Sequence, residues 1–316
     1  MANILVTGSL GQIGSELIQL LREEHGKEHV IASDIRQADE GDDPFTTLDI
    51  LDKQHFEEVI KEYDIEWIVH NASILSASGE RNPYLAMQVN FRGFDNALEM
   101  AKMHHLRILT PSSIAAFGPS TPKHAMDLTI MRPTTIYGIS KVYVELMGEY
   151  YQQKWGTDFR SLRYPGIISW KSPPGGGTTD YAVEIFYEAL KEKHYSCFLG
   201  PDTVLPMMHM QDCLEATQKL LQVDGELLKQ RTFNVAGISF SPSQLATEIM
   251  KHIPDFTIDY QPDYRQEIAE SWPQSIDDTP AREQWGWNHT FDLSRLVEDM
   301  LENLAIKLNI QSPMAR

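Results

Sequence analysis

Apolar positions along the chain alternate between two rhythms, short unbroken runs and a spacing of three to four. Residues 4–7 are an unbroken run, as expected of a buried strand, and residues 12–22 place Ile13, Leu17, Leu20 and Leu21 at helical spacing. The next run, residues 30–32, leads to Asp34. A helix over 57–63, a strand over 67–69, a helix over 84–103, a strand over 107–110, a helix over 137–155 and a strand over 159–164 follow in turn. Such alternation predicts an α/β fold, a doubly wound parallel sheet with helices on both faces.

After Tyr164 the rhythm breaks, and the Pro- and Gly-rich residues 172–177 mark a loop where a second lobe begins. A helix over 211–221 and a strand over 232–235 are expected to return to the sheet. Residues 292–308 carry Leu293, Leu296, Val297, Met300, Leu301 and Leu304 on one face, the pattern of a packing helix. The expected organisation is a sheet domain over 1–165, completed by 207–236, and a small C-terminal substrate-binding lobe from 166–206 and 237–316.

Composition narrows the choice of partner. A net charge of −18 in 316 residues repels phosphate backbones and anionic lipid, so neither nucleic acid nor membrane is expected. The opening MANILVTG runs directly into a strand, from which a cytoplasmic protein is expected. Cys197 and Cys213 lack the paired short spacing of metal or redox motifs and read as buried thiols; His104 and His105 have no ligand-spaced neighbours. No metal is expected.

Residues 7–14 read TGSLGQIG. A strand-to-helix turn this tight needs glycine where the backbone takes positive φ or approaches a phosphate, which suits Gly8, Gly11 and Gly14. The amides at the helix start, from Gln12 and Ile13, then face a pyrophosphate. Glycines alone also fit an ordinary turn. Asp34, twenty residues past Gly14 at a strand end, adds a carboxylate for the adenosine ribose hydroxyls and repels a ribose phosphate. NAD is therefore expected as cofactor, with nearby Arg36 keeping NADP as the alternative. Asp49 and Ile50 are placed to bound the adenine, although Asp49 also suits a helix N-cap.

Residues 137–141 read YGISK, which puts Tyr137 and Lys141 on the same helical face. A phenol next to an ammonium is expected to ionise more readily, so Tyr137 can take a proton from a substrate hydroxyl as hydride leaves the same carbon. Upstream, PSSIAAFG places Ser112 and Ser113 just after a strand end, where either can bond the reacting oxygen or cap a turn. Asn90, in VNFRG, suits a polar support that binds a backbone carbonyl or an ordered water behind Lys141.

Together TGSLGQIG, Asp34, HNAS at residues 70–73, the serine motif and YGISK resemble the extended short-chain dehydrogenases. IASDIRQ, ILSASGERNP, SLRYPGIISW, GTTDYAVEIFYEAL and LPMMHM are similar, over nearly the whole chain, to the short-chain L-threonine 3-dehydrogenase family. The resemblance implies a Rossmann-type sheet with a substrate lobe and NAD-dependent oxidation of L-threonine at its β-carbon to 2-amino-3-oxobutanoate. It implies catalytic roles for Ser113, Tyr137 and Lys141. NAD contacts are implied at Gly8, Gly11, Gln12, Ile13, Gly14, Asp34, Ile35, Arg36, Asp49, Ile50 and Ile167, and at Tyr137 and Lys141. Substrate contacts are implied at Ser76, Thr178 and Asp180, besides Ser113 and Tyr137; Asp180 can pair with an ammonium or cap the following helix. A homodimer through helices 84–103 and 137–155 is expected. The chain departs from the family at Asn71, where leucine is usual, and at Ser113, where threonine is frequent.

Two other readings compete. A nucleotide-sugar epimerase or dehydratase would need cations for a diphosphate, for which Arg231 and Arg265 are the candidates. A non-catalytic NAD(H)-sensing protein would not need the serine, tyrosine and lysine that this chain keeps.

Overall fold

The computed structural model describes residues 2–39, 41, 44–175 and 177–313. Its first half alternates strand and helix: β1 (Ile4–Thr7), α1 (Gln12–His25), β2 (Val30–Asp34), β3 (Phe45–Thr47), α2 (Lys53–Glu62), β4 (Trp67–His70) and two short helices, α3 (Ser76–Arg81) and α4 (Pro83–Met87). A π-helical turn, Gln88–Gly93, leads into α5 (Phe94–Met103); then come β5 (Arg107–Leu109), β6 (Ser112–Ser113), β7 (His124–Ala125), α6 (Ile136–Trp155) and β8 (Phe159–Tyr164). The remainder holds β9 (Gly166–Ile168), α7 (Tyr181–Lys191), β10 (His194–Cys197), β11 (Leu205–His209), α8 (Met210–Gln222), β12 (Thr232–Asn234) and β13 (Ile238–Phe240). It ends with α9 (Pro242–Met250), β14 (Thr257–Tyr260), α10 (Arg265–Glu270), β15 (Ser275–Ile276), α11 (Thr279–Trp285) and α12 (Leu293–Leu308).

The main sheet runs β12-β8-β5-β4-β1-β2-β3, every pair parallel, with β6 also on β8. From β1 the chain first winds outward through β2 and β3, and from β4 it winds the other way. The strand order therefore reverses between β1 and β4, and the crevice beyond their C-terminal ends is where such sheets bind ligands. Both faces are dry. Leu17, Leu21, Ala216 and Leu220 of α1 and α8 cover one, and Phe56, Val59, Phe94 and Leu98 of α2 and α5 cover the other. Helix α8 packs against the sheet and β12 joins its edge, while β11 lies in a separate sheet.

The lobe has its own core, built from α7, α9 and α12 around Phe186, Phe240 and Leu301, and a three-stranded sheet β13-β11-β9. Ile114, Ala115, Phe117 and Ala125, from the segment between β6 and α6, are also buried in this core. Pairing of β7 with β15 fastens that same segment to the C-terminal third of the chain.

The helix expected over 84–103 is three pieces. Gly93 sits against Ile50, where a Cβ would lie 2.3 Å from Cδ1, and the π turn ending at Gly93 turns Asn90 into the interior, 5% exposed. A hydrophobic period reports which face is buried but not one extra residue per turn.

Gly148 marks the tightest packing of α6 on the sheet, because a Cβ there would lie 2.3 Å from the Phe159 ring. Gly148→Ala is expected to destabilise the protein by about 1–3 kcal/mol through overpacking, read as a lowered midpoint in thermal or urea unfolding.

Candidate active site

The end of β1 is shaped for close backbone approach. Gly8 has φ +65°, and a Cβ on it would lie 2.7 Å from the Ala72 amide at the end of β4; a Cβ on Gly14 would lie 2.3 Å from the Gly8 carbonyl. Side chains are excluded at both positions, which brings the turn, the start of α1 and the end of β4 together. Helix α1 has no side-chain N-cap and no acidic residue in its first turn, which leaves the amides at its start, Gln12 and Ile13 among them, uncapped by a side chain. Beside them, Ser9 Oγ and both polar atoms of the Asn71 amide are buried without a hydrogen-bond partner in the chain. Free helix amides, a glycine cradle and orphaned polar atoms fit a dinucleotide diphosphate and its riboses.

Asp34 closes the cradle at the end of β2. Burial works against its ionisation, but the Arg36 guanidinium at 3.1 Å and the amides of Arg36 and Leu10 prevail and hold its carboxyl below the ordinary range. Arg36 is thereby tied to Asp34 through both carboxylate oxygens. Ile35 is 66% exposed beside them, an apolar surface at the rim. Asp49 accepts from the Leu51 amide, so it is not the N-cap the sequence allowed; Asp52 caps α2 instead. Ile50 is buried against Gly93, and Ile167 lies half-buried on β9.

Helix α6 carries Tyr137 and Lys141 to the same strand ends. Thr135 caps it by accepting from the Gly138 amide. At Gly138 a Cβ would lie 2.2 Å from the Ala115 carbonyl, so only glycine lets α6 approach the turn after β6 this closely. The approach brings the Ser113 hydroxyl close enough to the Tyr137 phenol to favour its ionisation. Ser113 Oγ also accepts from the Ala115 amide at 3.2 Å. Ser112 points away from Tyr137, to Glu145.

The sequence led us to expect a phenol made more acidic by Lys141. Instead burial pushes Tyr137 up to about 12, with only the neighbouring Ser113 hydroxyl acting the other way. The Lys141 ammonium donates to the Pro111 carbonyl at 2.8 Å, and burial pushes its pKa down to about 8 against the attraction of Glu145. Desolvation thus outweighs the local charges at both groups. His70, held by Thr7 at 2.9 Å, is pushed down to about 3 by burial and by the Lys141 charge.

Asn90 binds both backbone groups of Ile74, at 2.7 and 2.9 Å, and the Ser140 hydroxyl at 3.3 Å. It supports the chain after β4 through a backbone carbonyl, one of the two roles its position suggested. A cavity of about 10 Å³, room for one water, lies between Asn90, His70, Ser73, Thr110 and Lys141. A larger one of about 330 Å³ opens on the lobe near Lys123 and Gln266, away from the residues above; its own polar groups pair with each other.

Ser76 opens α3, which is tied to the start of α6 by Glu80 accepting from the Ile136 amide. Thr178 is buried. Asp180 stands at the N-cap position of α7 but makes no cap bond; its Oδ2 accepts from Gly175 and Gly177 and gathers the glycine-rich loop. Neither arginine considered for a diphosphate is free: Arg231 pairs with Asp158, and Arg265 pairs with Asp263 and stacks on Phe198. Cys197 and Cys213 are buried and unpaired. Among the described residues no group of three or more His, Cys, Asp or Glu is placed to hold a metal ion. The Glu145 and Arg163 pair beneath Lys141 was missed from sequence. Its signal was slight, a third residue at spacing four after Tyr137 and Lys141.

The Lys141 value has a consequence for stability. Between about 8 and the ordinary lysine value of 10.5 the unfolded chain holds this proton and the folded one does not. Stability from this group therefore rises with pH across that window, by at most about 1.4 kcal/mol per pH unit. Wild type without cofactor is expected to gain stability over Lys141→Met between pH 8 and 10 in urea unfolding; a constant difference would contradict it.

The profile of the NAD dependent epimerase/dehydratase family matches residues 4–236. The bovine (Bos taurus) protein named L-threonine 3-dehydrogenase, mitochondrial, is 50% identical over 94% of this chain and 81% of its own length. A crystal structure of L-threonine dehydrogenase from Phytophthora infestans superimposes with a TM-score of 0.95 at 53% identity, covering 97% of this chain and 100% of that one. A monomeric L-threonine 3-dehydrogenase of metagenomic origin gives 0.93 at 44% identity, covering 97% and 99%. This chain belongs to the NAD dependent epimerase/dehydratase family and, within it, to the L-threonine 3-dehydrogenases.

Proposed function

We propose that this protein oxidises the β-hydroxyl of L-threonine with NAD, giving 2-amino-3-oxobutanoate, NADH and a proton. The observation that carries the reading is the placement of Ser113, Tyr137 and Lys141 at the same strand ends as the glycine cradle. When bound, NAD supplies the hydride acceptor and a positively charged ring. Tyr137 Oη takes the hydroxyl proton as the β C–H bond breaks, and Ser113 hydrogen-bonds the reacting oxygen. A phenol held at about 12 by burial is a poor base at neutral pH, so positive charge must gather beside it before turnover. Lys141 contributes part of that charge and holds the nicotinamide ribose.

NAD is preferred over NADP because the Asp34 carboxylate meets the ribose hydroxyls and repels a phosphate there, while Arg36 is already neutralised by Asp34. Gly8, Gly11 and Gly14 admit the diphosphate; Gln12 and Ile13 offer amides. Ile35, Asp49 and Ile50 bound the adenosine, and Ile167 the nicotinamide end. Ser76 and Thr178 bind the substrate carboxylate, and Asp180, with one oxygen committed to its loop, offers the other to the ammonium. The dinucleotide domain comprises 1–165 and 207–236, the lobe the rest.

We infer that the protein works as a homodimer. Leu146, Tyr150 and Trp155 on α6, with Tyr84 and Met87 on α4, are each at least 46% exposed and large, a surface suited to a second copy. No helix among the described residues is long and apolar enough to cross a membrane.

NADH absorbance tests the activity directly. Purified protein with NAD and L-threonine is expected to form NADH steadily; isomerisation of a UDP-sugar without NADH from threonine would overturn the reading. Tyr137→Phe is expected to lower kcat by about 10²–10⁴-fold with NAD affinity, followed by fluorescence, nearly unchanged.

A further inference from the structure

Tyr137, Lys141 and Glu145 stand four residues apart on α6, on one face of the helix. Opposite them lie three consecutive residues, two of them held by hydrogen bonds to these side chains and the third facing Tyr137. Tyr137 faces Ser113, whose hydroxyl favours ionisation of the phenol. Lys141 Nζ donates to the Pro111 carbonyl at 2.8 Å. Ser112 Oγ donates to Glu145 Oε1 at 2.5 Å. The far end is rigid: Glu145 is 2% exposed, and Arg163 of β8 donates to both its carboxylate oxygens, at 2.8 and 2.7 Å. Arg163 is fixed in turn by the Asp127 carbonyl and the Asn234 side chain.

We propose that Glu145 is a positioning residue for the reaction: anchored by Arg163, it grips Ser112 and thereby sets the register that presents Ser113 to Tyr137 and the Pro111 carbonyl to Lys141. The inference rests on the proposed function for its activity readout only. Because 111–113 are consecutive, slippage at Ser112 moves both neighbours, and among the described residues the Ser113 hydroxyl, which accepts from the Ala115 amide, has no hydrogen bond of its own to α6. The carboxylate also acts at a distance on the ammonium one turn away. The charged and titratable groups around this pair are Tyr137 and Glu149 on the same helix, Arg163 from β8, Asp127 from the segment after β7, and His70 from β4. Arg163 neutralises much of the carboxylate but is shared with Asp127 and Glu149.

Two variants separate the grip from the charge. Ser112→Ala keeps the Glu145 and Arg163 pair, so the fold is expected to survive; kcat with NAD and L-threonine should fall about tenfold or more, with KM and NAD affinity little changed. Full kcat in Ser112→Ala would overturn the proposal, as would a loss that merely follows the folded fraction. Glu145→Gln removes the charge. With ε-¹³C-lysine labelling and no substrate, the Lys141 resonance, identified by its loss in Lys141→Met, should titrate about one pH unit lower than in wild type. An unmoved titration in folded Glu145→Gln would overturn the electrostatic half; should that variant not fold, Ser112→Ala decides. Wild-type protein inert toward threonine would defeat the proposed function instead, leaving the lysine titration to judge Glu145.

Discussion

Everything at this site depends on how closely α6 can approach the turn after β6. Gly138 sets that distance, since the Ala115 carbonyl occupies the space of its missing Cβ. Neighbouring positions on the same helix, Tyr137 and Lys141, inherit the spacing: the phenol faces a hydroxyl across the gap and the ammonium bonds a carbonyl. A helix displaced by one methyl group would stretch the Lys141 bond and leave a buried ammonium short of its partner, an expensive condition in the interior. Precision here comes from the absence of a side chain.

The second ingredient is dehydration. Lys141 and His70 are buried and Tyr137 is partly so, and in each case desolvation favours the neutral form. The protein accepts that cost at a place where the reaction brings its own charge, so that small changes in local charge act through a low dielectric. The ion pairs beneath, Arg163 with Glu145 and Asp127, are of the kind that add little net stability yet are ruinous to break singly. Their value lies in fixing geometry.

Much of this was legible in the sequence because it is local. The run at Ile4–Thr7 and the helix starting at Gln12 are set by residues a few positions apart, and so is the spacing of Tyr137 from Lys141. The cradle was legible too, since Gly8 and Gly14 serve one turn. What escaped depends on residues far apart in sequence. Glu145 has a role only when Arg163 and Ser112 arrive from two strands, and the direction of the Tyr137 shift follows from how much protein closes over it. Asp180 reads as a ligand or a cap, and only the path of the loop shows it collecting the amides of Gly175 and Gly177. The π turn at Asn90 likewise answers to Ile50, forty residues earlier.

The pairing of β7 with β15 bears on when the enzyme can exist at all. Between Ser113 and Tyr137 the chain leaves the sheet, and at His124 and Ala125 it is held by Ser275 and Ile276. On a ribosome the nucleotide cradle can be complete while the strand that steadies the path between serine and tyrosine has not yet been made. Closing a loop of that length is slow compared with closing the local turns of the cradle. The order of synthesis therefore separates the two halves of the chemistry in time: a nascent chain can be built to recognise a dinucleotide well before it is built to oxidise anything.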